Sequence, residues 1–418
     1  MNAPSTLDPR NLDLTWPEEG HTRVPYRVYT DQAIYDLEQE RIFRGATWNY
    51  VALTAELPDA GDYRTTHIGD TPVIVTRDRD GEFNVLVNRC AHRGALVCRD
   101  LRGNADTLTC VYHQWAYDAK GDLIGVPFRK GLGGKGGYPK DFDMAEHGLE
   151  KLKVEVFGDC VFATFDHSMP SVETYFGQQM ADYHRRMFNR PVEVIGYHRQ
   201  YMRSNWKLYA DNTHDPYHAS QLHLFHATFG LYRASQICGT DLDPSGLHNC
   251  VHSKAGSDEG KLDGYRKEGG RSYDESYSLA DPSVLAGWPE FADGDTLCIH
   301  VIFPNLVAQQ IANTLATRQI VTHGPDAFEL IWTYFGYVDD TPEQRAMRIK
   351  QINLIGPAGL ISMEDGYVCE MVQDAIVRDG DEASVVLMGG ESIEGGDTTL
   401  TESGMRGFWR GYRRMMDL

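Results

Sequence analysis

The sequence lacks a run of apolar residues that could cross a membrane. Its longest apolar stretches, such as 297–307, are interrupted by His300, Pro304 and Asn305 and stay well short of the roughly 20 residues that a bilayer-spanning helix needs. The first twenty residues also lack the basic start and apolar centre of a secretory signal, and carry prolines and acidic residues instead. We therefore expect a cytoplasmic protein with no membrane partner.

Positive charge is scarce as well. Lys and Arg number 40 against 60 Asp and Glu, which gives a formal net charge of -20. A surface of this sign repels phosphate backbones and anionic lipid heads over most of its area. The charge balance therefore argues against nucleic acid as a partner.

Cysteine is too sparse for a scaffold built on disulfides, with eight residues among 418. The cytosol would keep these thiols reduced. A cysteine with a meaningful spacing to other ligand residues is therefore considered first as a metal ligand.

The chain is long enough, at 418 residues of which 41% are apolar, for two or three domains with cores of their own. From about Trp48 to Phe165, short β-rich runs alternate with turn signals such as Asp80-Gly81, which predicts a small antiparallel β domain. Helical and strand-like segments mix after that point, which predicts a larger α+β domain.

A set of four metal-ligand residues lies in the β-rich part. Cys90-Ala-His92 is followed, after 17 residues, by Cys110-Val-Tyr-His113. Thiolates and imidazoles together suit zinc, or a two-iron cluster in which one iron keeps two thiolates and the other takes two imidazoles. A structural zinc finger usually pairs Cys with Cys and His with His, whereas each loop here offers one of each. That allocation favours a [2Fe-2S] cluster, because each loop can give one ligand to each iron.

A second set lies in the segment 211–226, which holds four His and two Asp in 16 residues. A non-haem Fe(II) site that activates O2 needs two His and one carboxylate on one face. His214 and His218 are four apart and would share a helical face, whereas His218 and His223 would not. Helical geometry alone favours the first pair.

Further residues turn these patterns into a family resemblance. Arg93-Gly94 and Trp115 complete a stretch that resembles the Rieske signature. The pattern Asp-x-x-His-x4-His, which begins at Asp215, and the segment 354–366 resemble the large subunits of Rieske aromatic-ring-hydroxylating oxygenases. The segments 23–31, 205–210 and 216–220 carry a likeness to the group that acts on aromatic carboxylates, namely anthranilate, salicylate and terephthalate.

The resemblance implies two iron centres and assigns their ligands. The [2Fe-2S] cluster takes Cys90, His92, Cys110 and His113, and a mononuclear Fe(II) takes His218, His223 and Asp365, with Glu364 as the alternative carboxylate. For His218 and His223 to act together, the helix must be broken or bulged near 219–221. Electrons are expected from NADH through a reductase, with or without a ferredoxin. O2 and a small aromatic carboxylate are the expected substrates.

The resemblance also implies a fold and an assembly. Residues 46–165 would form an all-β Rieske [2Fe-2S] domain, and residues 1–45 with 166–418 a catalytic α+β domain of helix-grip type with an antiparallel sheet. Such chains form head-to-tail α3 trimers, or α3β3 with a small β subunit. Asp215 would then bridge His113 of one copy to His218 of the next, which supports the imidazole and shortens the electron path. An ordinary acidic residue near a helix N-terminus is the alternative for Asp215.

Arg318 is the predicted anchor for the substrate carboxylate. A carboxylate in an apolar pocket needs a cation, and a planar guanidinium can bind it as a fork. Arg318 lies in a strand-like run in which Ala316 and Ile320 share its face, and it resembles an arginine of the terephthalate group. A rim arginine in a surface ion pair is the alternative. The segment 380–404 offers no second cation, which favours a monocarboxylate with an ortho amino or hydroxy group.

This combination predicts dioxygenation of anthranilate to catechol, with loss of carbon dioxide and ammonia. Salicylate hydroxylation and dioxygenation of terephthalate or another benzoate stay open, because Asp211 stands where the resemblance leads us to expect Glu. Two alternatives belong to other functional classes: a Rieske electron carrier without a catalytic iron, and a zinc-stabilised binding protein. A carrier would leave the histidines and carboxylates of 211–226 unused.

Overall fold

The structure is a computed structural model, and it describes residues 12, 14–257, 264, 267, 268 and 276–418. The chain divides into two compact units, one of Phe43–Val172 and the other of Met1–Ile42 together with Glu173–Leu418. The smaller unit contains the whole of the segment 46–165. Within the described residues, no helix combines the length and the apolar character needed to cross a bilayer.

The strands are, in chain order, β1 (Arg23–Pro25), β2 (Asn49–Leu53), β3 (Asp62–Ile68), β4 (Thr71–Arg77), β5 (Phe83–Val87), β6 (Arg102–Asn104), β7 (Leu108–Thr109), β8 (Ala116–Tyr117), β9 (Leu123–Gly125), β10 (Lys153–Phe157), β11 (Cys160–Thr164), β12 (Val192–Met202), β13 (Ile237–Leu242), β14 (Asn249–Lys254), β15 (Leu297–Ile302), β16 (Leu306–Ile311), β17 (Thr314–Thr322), β18 (Phe328–Tyr337) and β19 (Ala383–Val385). The α-helices are α1 (Gln32–Glu38), α2 (Val172–Phe176), α3 (Gln178–Met187), α4 (Trp206–His214), α5 (Ala219–Leu222), α6 (Leu224–Phe229), α7 (Pro342–Ile355), α8 (Ser362–Ile376) and α9 (Ser403–Met416). A π-helical turn, Gln39–Phe43, continues α1. Short 3-10 turns occupy Gly20–Thr22, Tyr26–Tyr29, Thr54–Glu56, Met144–His147 and Pro282–Leu285.

The smaller unit consists of short antiparallel sheets, with strand orders β5-β4-β3-β6, β10-β11-β2 and β7-β8-β9. The predicted turn at Asp80-Gly81 joins β4 to β5, and Gly81 has the positive φ of 85° that glycine adopts without strain. One core cluster includes Leu86 and Trp115 together with the thiols of Cys90 and Cys110. The core of this unit therefore fixes the backbone on which the four predicted cluster ligands lie.

The larger unit contains a seven-stranded antiparallel sheet in the order β12-β18-β17-β16-β15-β14-β13. Every residue of the two inner strands β16 and β17 is buried, including polar residues such as Gln309 and Arg318. Helices pack against the sheet, α7 on β17 and β18 and α8 on β12. Mixed helices and antiparallel sheets confirm the predicted α+β class.

The segment 206–229 is three helices, because the chain leaves the helical conformation twice. Asp215 is extended, with φ -105° and ψ 94°, since Pro216 disfavours the α-helical conformation for the residue before it. His223 breaks the chain again between α5 and α6, with φ -86° and ψ 83°. His214 and His218 therefore do not share a helical face, and the breaks lie on either side of 219–221 rather than within it.

Candidate metal centres and active site

Two loops of the smaller unit repeat one hydrogen-bonded turn. In each loop the N–H of the cysteine donates to the carbonyl five residues later, at 2.8 Å for Cys90 and 2.9 Å for Cys110. A second bond returns to the cysteine carbonyl from the N–H of Gly94 at 2.9 Å and of Gln114 at 2.8 Å. These two residues have positive φ values of 75° and 56°. The shared backbone geometry presents one Cys and one His from each loop, as the sequence spacing predicts.

The side chains on these loops fit a His-ligated [2Fe-2S] cluster. The thiols of Cys90 and Cys110 are buried, and the ring centroids of His92 and His113 lie 4.5 Å apart. Nδ1 of His92 is buried, and it has no hydrogen-bond partner in the part of the chain that the structure describes. A buried imidazole nitrogen without a partner is costly unless a metal takes its lone pair. Two thiols and two imidazoles are the donor set of such a cluster.

Two aromatic side chains pack against these donors. Trp115 stacks on His92, with ring centroids 4.8 Å apart. The Tyr117 hydroxyl accepts the Ala91 N–H at 3.1 Å and lies 3.2 Å from Cys90 Sγ. Burial raises the pKa of Tyr117, so the hydroxyl keeps its proton. Tyr117 is therefore placed to donate a hydrogen bond to the sulfur, a contact that the sequence analysis missed although Tyr117 closely follows Cys110.

His218, His223 and Asp365 converge in the larger unit. Nε2 of His218 lies 3.4 Å, and Nε2 of His223 3.1 Å, from the same Oδ1 of Asp365. One ligand atom from each residue lies within 4.8 Å of the other two. Asp365 and His223 are buried and His218 is half-buried. Two imidazoles and one carboxylate on one side are the donors of non-haem Fe(II) oxygenase sites, which leave positions open for O2.

A carboxylate lies behind each imidazole. Asp215 Oδ2 is 3.3 Å from Nδ1 of His218, and Glu364 Oε2 is 2.7 Å from Nδ1 of His223. Burial disfavours the charged form of His218, but Asp215 and Asp365 outweigh it and raise its pKa to about 10. Burial acts against the charge of Asp365 too, but the two imidazoles hold its pKa well below the usual value. Such an excess of buried negative charge fits a divalent cation such as Fe(II).

The start of α8 places the two acidic residues. Glu364 and Asp365 lie in its first turn, where the helix dipole stabilises negative charge. The chain reaches this turn through the predicted Gly-Pro-Ala-Gly stretch, 356–359. A Cβ atom on Gly359 would collide with the Leu354 carbonyl. The motif therefore needs glycine there to bring α8 to the histidines.

The structure separates His214 and His226 from this ligand set. Nδ1 of His214 lies 2.7 Å from the Ala210 carbonyl, and burial lowers the pKa of His214 to about 4. His226 lies on α6, where burial lowers its pKa to about 3. Among the described residues, the group that could hold a metal contains neither of them.

Arg318 lines a cavity that also contains the three converging residues. The Arg318 side chain is 5% exposed, donates to Tyr209 Oη at 2.6 Å and to Gln309 Oε1, and lies over the ring of Trp332. Within the described residues, no carboxylate pairs with it and its Nε has no partner. The alternative of a rim arginine in an ion pair does not hold. Aliphatic residues form much of the wall: Val251, Leu297, Ile299, Ile311 and Ile361.

Sequence reasoning missed the supporting role of the residues around these groups, and named Glu364 only as an alternative ligand. Asn212 Nδ2 lies 3.1 Å from Asp365 Oδ1 and 3.3 Å from His218 Nε2. Asn212 lies within the His-rich run and Glu364 lies next to Asp365, so adjacency was an available signal. Tyr209 and Gln309 reach Arg318 from other elements of the fold, and nothing local in the sequence marks them.

Known proteins match both parts of the chain. A Rieske [2Fe-2S] domain model matches residues 47–136, and a model of the ring hydroxylating alpha subunit catalytic domain matches residues 181–418. The anthranilate 1,2-dioxygenase large subunit of Burkholderia cepacia is 52% identical over 97% of this chain and 96% of its own. The chain belongs to the ring-hydroxylating alpha subunits of Rieske oxygenases.

Other members of the family agree with this assignment. The terephthalate 1,2-dioxygenase terminal oxygenase component subunit alpha 2 of a Comamonas species is 48% identical over 96% of this chain and 97% of its own. The salicylate 5-hydroxylase large oxygenase component of a Ralstonia species is 42% identical over 100% of both chains. Naphthalene 1,2-dioxygenase from a Rhodococcus species, bound to indole, has the same fold, with a TM-score of 0.79 over 94% of both chains at 22% identity.

As a Rieske oxygenase alpha subunit, the protein is an oxidoreductase with a [2Fe-2S] cluster and a mononuclear iron. Its electrons come from NADH through a reductase. The predictions of family, cofactors and reaction class are confirmed. The electron carrier and the zinc-stabilised binding protein are excluded, because the catalytic domain of an oxygenase is present.

Proposed function

We propose that this chain is the large subunit of an anthranilate 1,2-dioxygenase. Anthranilate, O2, two electrons and three protons give catechol, carbon dioxide and ammonia. The observation that carries this proposal is Arg318, a buried guanidinium that pairs with no carboxylate of the described chain and lines the same cavity as His218, His223 and Asp365. A buried charge of this kind calls for an anion from outside the chain.

In this proposal His218, His223 and Asp365 hold the mononuclear iron, and Cys90, His92, Cys110 and His113 hold the cluster. When bound, the iron supplies the activation of dioxygen with electrons that arrive through the cluster. Asp215 and Glu364 hold the two imidazoles at Nδ1, which leaves each Nε2 for the metal. The carboxylate pair therefore fixes the orientation of both rings before substrate enters.

Arg318 and the cavity wall bind and orient the ring. The guanidinium takes the substrate carboxylate through charge-assisted hydrogen bonds, which are stronger than neutral ones. Tyr209 and Gln309 hold the guanidinium in one position, so the acid has one preferred direction. The aliphatic residues of the wall lower the local dielectric constant, which strengthens the ion pair.

The number of cations in the cavity favours a monocarboxylate. Of the Lys and Arg residues that the structure describes, Arg318 is the one that lines the cavity. A second carboxylate, as in terephthalate, would be buried without a counter-ion at a large cost in free energy. The relative from Burkholderia cepacia, which is named for anthranilate, supports the ortho-amino acid. Salicylate, with the same carboxylate and an ortho hydroxyl, is the second candidate.

We also propose a head-to-tail α3 assembly, with or without a small β subunit. Around the cluster loops, large apolar side chains are 48–73% exposed: Leu96, Leu101, Val111, Tyr112, Phe128 and Leu132. On the larger unit, α8 exposes Met363, Tyr367 and Met371 at four-residue spacing. Large apolar side chains left exposed in such numbers are typical of protein interfaces. In the proposed trimer Asp215 bridges His218 of its own chain to His113 of the neighbouring copy.

Oxygen uptake with a panel of benzoates, NADH and a compatible reductase tests the proposed substrate. Anthranilate should support the fastest uptake and yield catechol and ammonia in equal amounts. Terephthalate as the best substrate would overturn the argument from the single cation.

The trimer is tested by the mass in solution and by Asp215→Asn, which should keep both metals yet slow electron transfer from cluster to iron by orders of magnitude.

A further inference from the structure

Asp211 is a buried carboxylate that the proposed iron and substrate sites do not use. It lies on α4, where Tyr29 donates its O–H to Oδ2 at 2.5 Å and Trp409 donates its Nε1–H to Oδ1 at 2.7 Å. No cation within the described residues pairs with it, since the ammonium of Lys207 pairs with Glu38 at 2.7 Å. Neutral donors alone hold this acid, so it is not locked as an anion by an opposite charge.

A cavity of about 230 Å³ connects Asp211 to the proposed iron site. Asp211 and Tyr29 line it, together with Asn212, Asp215 and His218. The last three residues also line the substrate cavity, so these side chains lie between the two cavities. Because a water molecule takes up roughly 30 Å³ of liquid volume, the space is sufficient for several waters.

Val385 also lines this cavity and is 57% exposed to solvent. Dihydroxylation of the ring takes up two protons for each O2, and these protons must reach the reaction centre from solvent. We propose that Asp211, held by Tyr29, relays protons from solvent through this cavity to the reaction centre. The proposal rests on the ligand set proposed above but not on the identity of the aromatic acid.

The relay transfers protons and no electrons. The Asp211 carboxylate takes a proton from cavity water on the solvent side and releases it to cavity water near Asn212, and two such cycles match the two electrons that NADH supplies. Burial raises the pKa of Asp211 to about 7, and Asp215 acts in the same direction. Hydrogen bonds from Tyr29 and Trp409 and the charge of Lys207 oppose this increase.

A tyrosine and a thiol near the carboxylate do not compete for its protons at neutral pH. Burial, followed by the charge of Asp211, raises the pKa of Tyr29 well above its usual value. Burial likewise raises the pKa of the Cys369 thiol, on which the charge of Asp211 also acts. Near neutral pH, Asp211 is thus suited both to accept and to release a proton.

The test is Asp211→Asn, which keeps the shape of the side chain and cannot carry a proton. The control is Asp241→Asn, because Asp241 also accepts a tyrosine O–H, from Tyr183 at 2.5 Å, and does not line the cavity. Both variants are compared with the parent for cluster absorption, bound iron and O2 uptake between pH 6 and 8. The acid used is whichever one the parent oxidises fastest, so the parent's own rate tests the proposed function separately.

We expect Asp211→Asn to bind both metals and to lose about tenfold or more in turnover, with a loss that grows as pH rises and hydronium becomes scarce. Tyr29→Phe, which removes the donor to Asp211, should show a smaller loss with the same pH trend. Asp211→Glu should restore most of the rate. An undiminished rate in Asp211→Asn, or a loss that is equal at every pH, would overturn the relay.

Discussion

Replacing Arg318 by leucine should lower the activity on aromatic acids strongly while both metal centres stay loaded. Arg318 is 5% exposed, and aliphatic residues form much of the wall of its cavity. In the variant, the substrate carboxylate would therefore be buried with no counter-ion. Removing one partner of a buried ion pair costs about 3 kcal/mol or more. At about 1.4 kcal/mol for each tenfold change, kcat/KM on anthranilate should fall about 100-fold or more.

The assay compares anthranilate with 2-aminobenzamide, a neutral analogue of the same shape. Arg318→Leu should lose its rate on the acid far more than on the amide, while cluster absorption and bound iron match the parent. Arg318→Lys keeps the charge but loses the planar fork, so its loss should be intermediate. An equal loss on acid and amide, or undiminished turnover of the acid, would refute the assignment of Arg318 as the anchor.

Three further predictions concern the cluster, the iron and the fold. Tyr117→Phe removes the hydroxyl that lies 3.2 Å from Cys90 Sγ. Loss of a hydrogen bond worth about 1 kcal/mol should lower the midpoint potential of the cluster by about 45 mV. A redox titration that finds no change in this potential would contradict the hydrogen bond. Glu364→Gln weakens the hydrogen bond at Nδ1 of His223 and should lower the affinity for iron about tenfold, measured in competition with a chelator. An unchanged affinity would show that Glu364 does not help to hold the iron ligand. Lys207→Met leaves the Glu38 carboxylate buried without its cation and should lower the free energy of unfolding in urea by about 3 kcal/mol. As a control, disrupting the exposed Arg79–Asp106 pair should leave the free energy of unfolding nearly unchanged.

The sequence predicted the parts of the two centres that depend on local spacing. Cys90-x-His92 and Cys110-x-x-His113 each fit within one turn, so their pattern could be read without knowing the fold. Helical periodicity gave the wrong partner for His218, because it ignored the effect of Pro216 on the residue before it. The family resemblance gave the pair His218 and His223, which the structure brings together.

Contacts between distant segments were beyond the reach of the sequence. Arg318 was identified from its residue type and strand, but its partners Tyr209 and Gln309 depend on how α4, β16 and β17 come together. The hydrogen bonds to Asp211 join residues 29, 211 and 409, which lie far apart along the chain. Only the fold brings such side chains into contact, and no periodicity or local motif records it.

The most direct test of the proposed function is a single turnover with ¹⁸O₂ and anthranilate, using enzyme with both metal centres loaded and the cluster reduced. The proposed function predicts catechol that carries two ¹⁸O atoms, with one carbon dioxide and one ammonia released for each catechol. Catechol with fewer than two ¹⁸O atoms, or a hydroxylated product that keeps the carboxylate and the amino group, would contradict it.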